Sequence, residues 1–133
     1  MKAKHPIDVA AGIVEKDGLI FLARRMAGGP AGGKWEFPGG KIGLHEDAET
    51  ALKRELLEEL EMSVNVRSHL GVFETEVMKT LIRLHVFVCE SDALDLKLHN
   101  HTEYGWFQPS EALELEMPSP DIPALRAYIL SRV

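Results

Sequence analysis

Residues 40–62, GKIGLHEDAETALKRELLEELEM, are the stretch whose reading decides the fold. Its pattern predicts a helix from about Asp47 to Leu60. At about 100° per residue, with Glu55 at 0°, Glu58 falls near ~300° and Glu59 near ~40°. The carboxylates then share an arc of roughly 100° with the small residues Ala48 and Ala51. Leu56, Leu57 and Leu60 lie elsewhere, and the expectation is that they enter a core. Arg54 stands four residues before Glu58 and can pair with it. Carboxylates crowded on one rigid face are costly unless something positive sits on them. The segment is therefore a candidate for a hard divalent cation and, through it, a polyphosphate.

Taken alone, RELLEELE is more often a solvated, salt-bridged helix face. The wider spacing argues otherwise. Gly40 is followed after five residues by Glu46, and after seven more by Arg54-Glu55, then Leu56, Glu58, Glu59 and Met62. This resembles the Nudix box of the Nudix hydrolases, G-x5-E-x7-R-E-U-x-E-E-x-G-U, with U aliphatic. One position departs: Glu61 stands where the family has glycine. Glycine there closes the helix in the left-handed region. A glutamate kept on that backbone costs about 1 kcal/mol. Glu61 lies off the carboxylate arc, so the departure concerns the helix end rather than the cluster.

The resemblance implies a mixed β-sheet sandwiched between helices (α/β/α), an α+β Nudix fold with residues 1–133 as one domain. It implies that Glu55, Glu58 and Glu59, with a backbone carbonyl at Gly39, hold Mg²⁺, for which Mn²⁺ substitutes. Glu55 is implied to orient or deprotonate water, Arg54 to position the glutamates, and Glu46 to have a structural role near the helix start. The chemistry suits these groups. Water must attack a phosphorus ringed by negative oxygens, and a divalent ion neutralises that charge and acidifies a bound water. Mg²⁺ takes a few carboxylates and completes its shell with substrate phosphate and water.

Composition agrees with a small enzyme. The chain has 133 residues, 45% hydrophobic and 27% charged, with a net charge of −6. Such a length supports one proper core. The negative charge argues against a nucleic-acid polymer or a membrane surface as partner. Cys89 is the only cysteine and sits in an apolar run, which reads as a buried strand residue in a reducing, cytoplasmic setting. No leader pattern or membrane-spanning run is apparent.

The remaining pattern is strand-rich. Ile7 to Val14 and Leu19 to Arg24 read as strands around an Asp17-Gly18 hairpin signal. Met26 to Gly33 is a flexible loop by composition. Trp35 to Phe37 is a short strand stopped by Pro38-Gly39-Gly40. Strands follow at Val64 to Glu76, Thr80 to Glu90 and Tyr104 to Phe107, then a helical turn at Pro109–Leu113. A terminal helix spans Asp121 to Ser131, with Asp121 as N-cap and Pro123 in its first turn. His99 and His101 read as members of a solvated loop, having no paired soft-metal spacing.

Residues outside the box narrow the resemblance. Ile20-Phe21-Leu22-Ala23-Arg24-Arg25 and Lys34-Trp35-Glu36-Phe37-Pro38-Gly39-Gly40-Lys41-Ile42 resemble the MutT-type subgroup. That subgroup hydrolyses nucleoside triphosphates, oxidised purine nucleotides such as 8-oxo-dGTP included. The His99-Asn100-His101 loop, Trp106, Pro109-Ser110-Glu111-Ala112-Leu113 and Asp121-Ile122-Pro123 resemble the CTP/dCTP pyrophosphohydrolase branch. The resemblance implies that Arg25 contacts the nucleotide, that Glu36, Phe37, Pro38 and Gly39 line a base and sugar pocket, that Asp121 reads the base edge, and that Lys41 lies near the phosphates. Asp121 is also a good helix cap in its own right. When ionised it only accepts hydrogen bonds, which suits an exocyclic amino group; protonated, it also donates. A further carboxylate often comes from a later loop, and here that position is Asn100, with Glu103 nearby.

The expected function is thus Mg²⁺-dependent pyrophosphohydrolysis of a nucleoside triphosphate, in nucleotide-pool sanitation, by a monomer or homodimer. The alternatives are a Nudix hydrolase for another nucleoside diphosphate derivative, or a non-catalytic nucleotide-binding module.

Overall fold

Asp17 and Gly18, both at positive φ, turn the chain through a two-residue hairpin in the computed structural model, which describes residues 5–92 and 95–132. That backbone fits the twist of the strands it joins, β1 (Ile7–Lys16) and β2 (Leu19–Arg25). Glu15 and Lys16 belong to the strand rather than to the turn. Trp35–Glu36 form β3, and Gly39–Lys41 form β4, which the Pro-Gly-Gly run gave no reason to expect. With no Cβ on Gly39, β4 can lie against β1, pairing Val9, Ala10 and Ala11 with Lys41, Gly40 and Gly39.

The helix of the box, α1 (Ala48–Leu60), begins where expected, with Asp47 accepting from Thr50 N. A long hairpin follows: β5 (Asn65–Val77) and β6 (Thr80–Glu90) around Met78-Lys79, again both at positive φ. Then come β7 (His101–Phe107), the short α2 (Pro109–Ala112) and α3 (Asp121–Ser131). The sheet runs β3-β2-β1-β6-β5, with β4 on β1 and β7 on β2. It is mixed, because β1 and β6 are parallel while the other pairs are antiparallel.

Alternation along β1 and β2 divides the core. Ala11, Ile13, Ile20 and Leu22 face α2 and α3, meeting Ala112, Ala124, Leu125 and Tyr128. Ala10, Val14, Phe21 and Ala23 face α1, meeting Ala51, Leu52, Leu56 and Leu60. This is the helix–sheet–helix layering expected from the box. Cys89 is buried on β6, also as expected. Leu57 corrects the helical reading: it is 51% exposed, because the sheet reaches only one side of α1. Among the described residues no helix is long and apolar enough to cross a membrane.

Candidate active site beside the carboxylate helix

The exposed flank of α1 is organised by Arg54. Its Nη2 donates to Glu46 at 2.6 Å and its Nε to the other Glu46 oxygen at 3.1 Å. Nη1 reaches Glu55 at 3.0 Å and Glu58 at 3.2 Å, and Nη2 also reaches the Lys41 carbonyl at 3.2 Å. The Glu58 contact is the i,i+4 pair read from the sequence; the others come from folding. Glu46 further accepts from Gly43 N at 2.7 Å, which fixes the loop before the helix. The Arg54 guanidinium beside Glu46, with the Gly43 N–H, holds that carboxyl below the usual carboxylate range. Its partners in turn raise the Arg54 pKa, Glu46 first and then Glu55.

Gly40 explains why a glycine precedes this helix. A Cβ there would stand 2.3 Å from the Glu55 carboxyl carbon. Glu59, further along α1, is more enclosed than Glu55's neighbour Glu58, which is exposed. Burial pushes the Glu59 carboxyl up; Glu55 and Glu36 add to this, while His101 and the Asn100 side-chain hydrogen bond oppose it. Asn100, at the loop position where a carboxylate often stands, thus serves as a partner of Glu59.

The donors are carboxylate oxygens with backbone carbonyls beside them, a set that suits a hard cation such as Mg²⁺. Among the described residues no three acidic, histidine or cysteine side chains already converge on one ion position. Glu55 and Glu58 are instead drawn to Arg54, through Glu55 Oε1 and Glu58 Oε2. Their other oxygens lie outside those bonds.

A cleft of about 210 Å³ adjoins the cluster, lined by Arg25, Glu36, Phe37, Gly39, Gly40, Lys41 and Asp121 among others. Whole-ligand pockets usually run to about 300–1,000 Å³, so this one suits part of a ligand. Every residue read from sequence as substrate-binding lines it except Pro38, which is buried behind it and accepts from Gly12 N. Arg25 reaches both Glu36 oxygens from Nη1, at 3.3 and 3.4 Å.

Asp121 is not the cap of α3. Pro120 holds that position, and Asp121 is the first helical residue. Its carboxyl turns inward to accept from Phe37 N at 3.0 Å, across 84 residues of sequence. Burial pushes it up to about 8, with the Glu36 charge adding and the Phe37 N–H and Arg25 opposing. His101 is a second correction. It is not in a solvated loop but at the start of β7, its side chain 1% exposed and its Nε2 2.9 Å from Glu36. β7 begins three residues earlier than the apolar pattern indicated, since polar residues line its first half.

The sequence reading also missed a cluster of Asp8, Arg83 and His85. Asp8 accepts from Arg83 at 2.9 and 3.0 Å and meets His85 Nε2 at 2.9 Å. It borders a broad, open depression beyond Glu46 whose charged groups already answer one another. Only the parallel β1–β6 register, with Asp8 opposite Arg83, brings these residues together.

The NUDIX domain family profile matches residues 4–128. A CTP pyrophosphohydrolase of Escherichia coli K12 is 38% identical over 126 residues, covering 95% of this chain and 93% of its own. The solution structure of the E. coli ORF135 protein is similar with a TM-score of 0.85 at 36% identity, covering 98% of this chain and 93% of that one. The crystal structure of a MutT protein from Methanosarcina mazei Go1 reaches a TM-score of 0.88 over 99% of both chains; at 24% identity it speaks for the fold alone.

Proposed function

We propose that this chain, which belongs to the Nudix family of pyrophosphate-bond hydrolases, is a Mg²⁺-dependent nucleoside triphosphate pyrophosphohydrolase. It converts an NTP or dNTP to the monophosphate and pyrophosphate. The observation that carries this reading is the Arg54 guanidinium, which gathers Glu46, Glu55 and Glu58 on one helix flank at the mouth of the cleft. A salt-bridged surface helix is satisfied by pairs along itself; here the same guanidinium also ties Glu46 and the Lys41 carbonyl, from the chain before the helix, to the carboxylates.

Glu55, Glu58 and Glu59, with the Gly39 carbonyl, are the groups that would hold the ion. When bound, a divalent cation neutralises the phosphate chain and acidifies a ligated water. The chain's own residues supply the rest. Arg54 keeps the carboxylates in register. Lys41 adds a positive charge near the phosphates. Arg25, Glu36, Phe37 and Asp121 enclose the base and sugar. At neutral pH a protonated Asp121 both donates and accepts a hydrogen bond, so it can meet a base edge carrying one of each. A cytidine nucleotide is favoured as substrate by the likeness to the E. coli CTP pyrophosphohydrolase.

The test is a screen of canonical, methylated and oxidised nucleoside triphosphates with Mg²⁺ and with Mn²⁺, scoring pyrophosphate and orthophosphate separately. Pyrophosphate with an equal amount of monophosphate, fastest from a cytidine nucleotide, is expected. Turnover confined to dinucleotides or nucleotide sugars, giving two monophosphate products, would assign the other hydrolase class. Binding without turnover of any nucleotide would make the chain a binding module.

A further inference from the structure

The pairing of β7 with β2 slips by one residue between Arg24 and Arg25. Arg24 faces Glu103, but Arg25 faces His101, so Thr102 is the extra residue on β7. A bulge of this kind re-aims the side chains beside it. Its neighbours His99 and Asn100 are exposed, whereas His101 is directed into the protein. Three adjacent strands then meet through side chains: Arg25 from β2, Glu36 from β3 and His101 from β7.

Glu36 is well enclosed, its side chain 13% exposed. Its Oε2 receives both Arg25 Nη1 at 3.3 Å and His101 Nε2 at 2.9 Å. The carboxylate is an acceptor, so Nε2 carries the proton. Nδ1 of the same ring is buried and has no partner among the described residues. A buried ring nitrogen left unmatched is unfavourable. An apolar side chain would fill the space without that cost. What the histidine adds is its bond to Glu36.

We infer that His101 is a positioning residue for the nucleotide subsite: Nε2–H fixes the Glu36 carboxylate, and through it the Arg25 guanidinium, in the wall of the cleft that faces Asp121. The inference rests on the proposed nucleotide reading of that cleft. Arg25 is half exposed, and an exposed ion pair alone orders a carboxylate weakly. With His101 beneath it, Glu36 is ordered before the nucleotide arrives, and pre-ordering raises affinity. His101 makes its hydrogen bond to Glu36 but also lies close enough to Glu59 to oppose the rise of that carboxyl, so metal-free monophosphate binding is the readout that isolates its hold on Glu36.

The experiment compares wild type with His101→Leu, His101→Asn, His101→Gln, Glu36→Gln and the double variant His101→Leu/Glu36→Gln. It reads kcat and KM for CTP with Mg²⁺, metal-free binding of cytidine monophosphate by calorimetry, and thermal unfolding. His101→Leu should raise KM and weaken metal-free monophosphate binding about tenfold, as for loss of one charge-assisted hydrogen bond, with a smaller change in kcat. A glutamine amide reaches the place of Nε2 and an asparagine amide does not. His101→Gln should therefore bind within about threefold of wild type, while His101→Asn should resemble His101→Leu even if the leucine variant folds poorly. In the Glu36→Gln background, His101→Leu should add little further loss. Three results overturn the inference: glutamine as impaired as leucine or asparagine in monophosphate binding, additive losses in the double variant, or a fall in kcat with binding untouched. The last would tie His101 to Glu59 instead. A wild type that releases no pyrophosphate yet shows the expected binding pattern would refute the enzyme reading and leave this inference standing.

Discussion

The Glu55 carboxylate occupies the space where a Gly40 side chain would be, 2.3 Å from an ideal Cβ position. The adjacent Gly39 has a different neighbour. Its Cβ would lie 1.9 Å from the Ala10 backbone oxygen. The two glycines thus serve different ends, one making room for a carboxylate and the other for the β1–β4 pairing. Gly40→Ala should lower kcat by about a hundredfold through displacement of Glu55, with unfolding temperature little changed, because a side-chain end can move. Gly39→Ala should lower the unfolding temperature markedly, because a backbone must move. Steady-state kinetics and thermal unfolding on both variants check this. Equal thermal losses would contradict the division.

Arg54 joins Glu46, Glu55, Glu58 and the Lys41 carbonyl through one planar fork. Lysine carries the charge but not the fork. Arg54→Lys should therefore cost about a hundredfold in kcat, while nucleotide KM stays within a few-fold. A near-normal kcat would show that charge alone suffices.

Glu61 keeps the family's left-handed helix end without its glycine, at φ 52 and ψ 38. Met62 N donates to Leu56 O and Glu61 N to Leu57 O, closing α1 despite the strain. The Glu61 carboxylate also meets His99 Nε2 at 2.8 Å, an exposed contact. Relief of the strain, about 1 kcal/mol, should outweigh that surface contact. Glu61→Gly should then raise the unfolding temperature by a few degrees. Glu61→Ala keeps the strain, loses the contact and should lower it. Thermal unfolding of the pair decides between these signs.

What the sequence revealed depended on local pattern. The helix from Ala48, the Asp17-Gly18 hairpin and the gapped run Gly40–Glu46–Arg54–Glu55–Glu58–Glu59 all have short-range signals, and they fold as read. Residues whose environment is set by distant chain were misread. Asp121 looked like a cap because its own helix follows it, yet its partner Phe37 is 84 positions away. His101 looked solvated because its neighbours are polar, yet a bulge turns it inward. Leu57 looked apolar enough to be buried, yet it lies on the side of α1 that the sheet does not reach and is half exposed. Strand β4 lacked any strand signal, because what permits it is the absence of side chains.

Asp121 also makes stability depend on pH. Unfolded, its carboxyl titrates near ~3.9; folded, burial pushes it up to about 8. Between those values the folded state holds a proton that the unfolded state has lost. This group's contribution to stability is therefore lost as pH rises from about 4 to about 8, and levels off above that. Asp121→Asn cannot titrate, so the difference in denaturation midpoint between variant and wild type should grow in the variant's favour over that window. An unchanging difference would contradict the raised value. The same variant should reorder nucleotide preference more than it lowers turnover, since Asp121 lies in the cleft and not on α1.

The most direct test of the carboxylate helix as the centre of pyrophosphate chemistry is product stoichiometry from CTP with Mg²⁺, for wild type and Glu59→Gln side by side. Wild type should give one pyrophosphate per monophosphate. Glu59→Gln should bind cytidine monophosphate normally yet lose about a thousandfold or more in kcat, through removal of a ligand charge. Orthophosphate as the wild-type product, or a glutamine variant that turns over near the normal rate, would contradict the account.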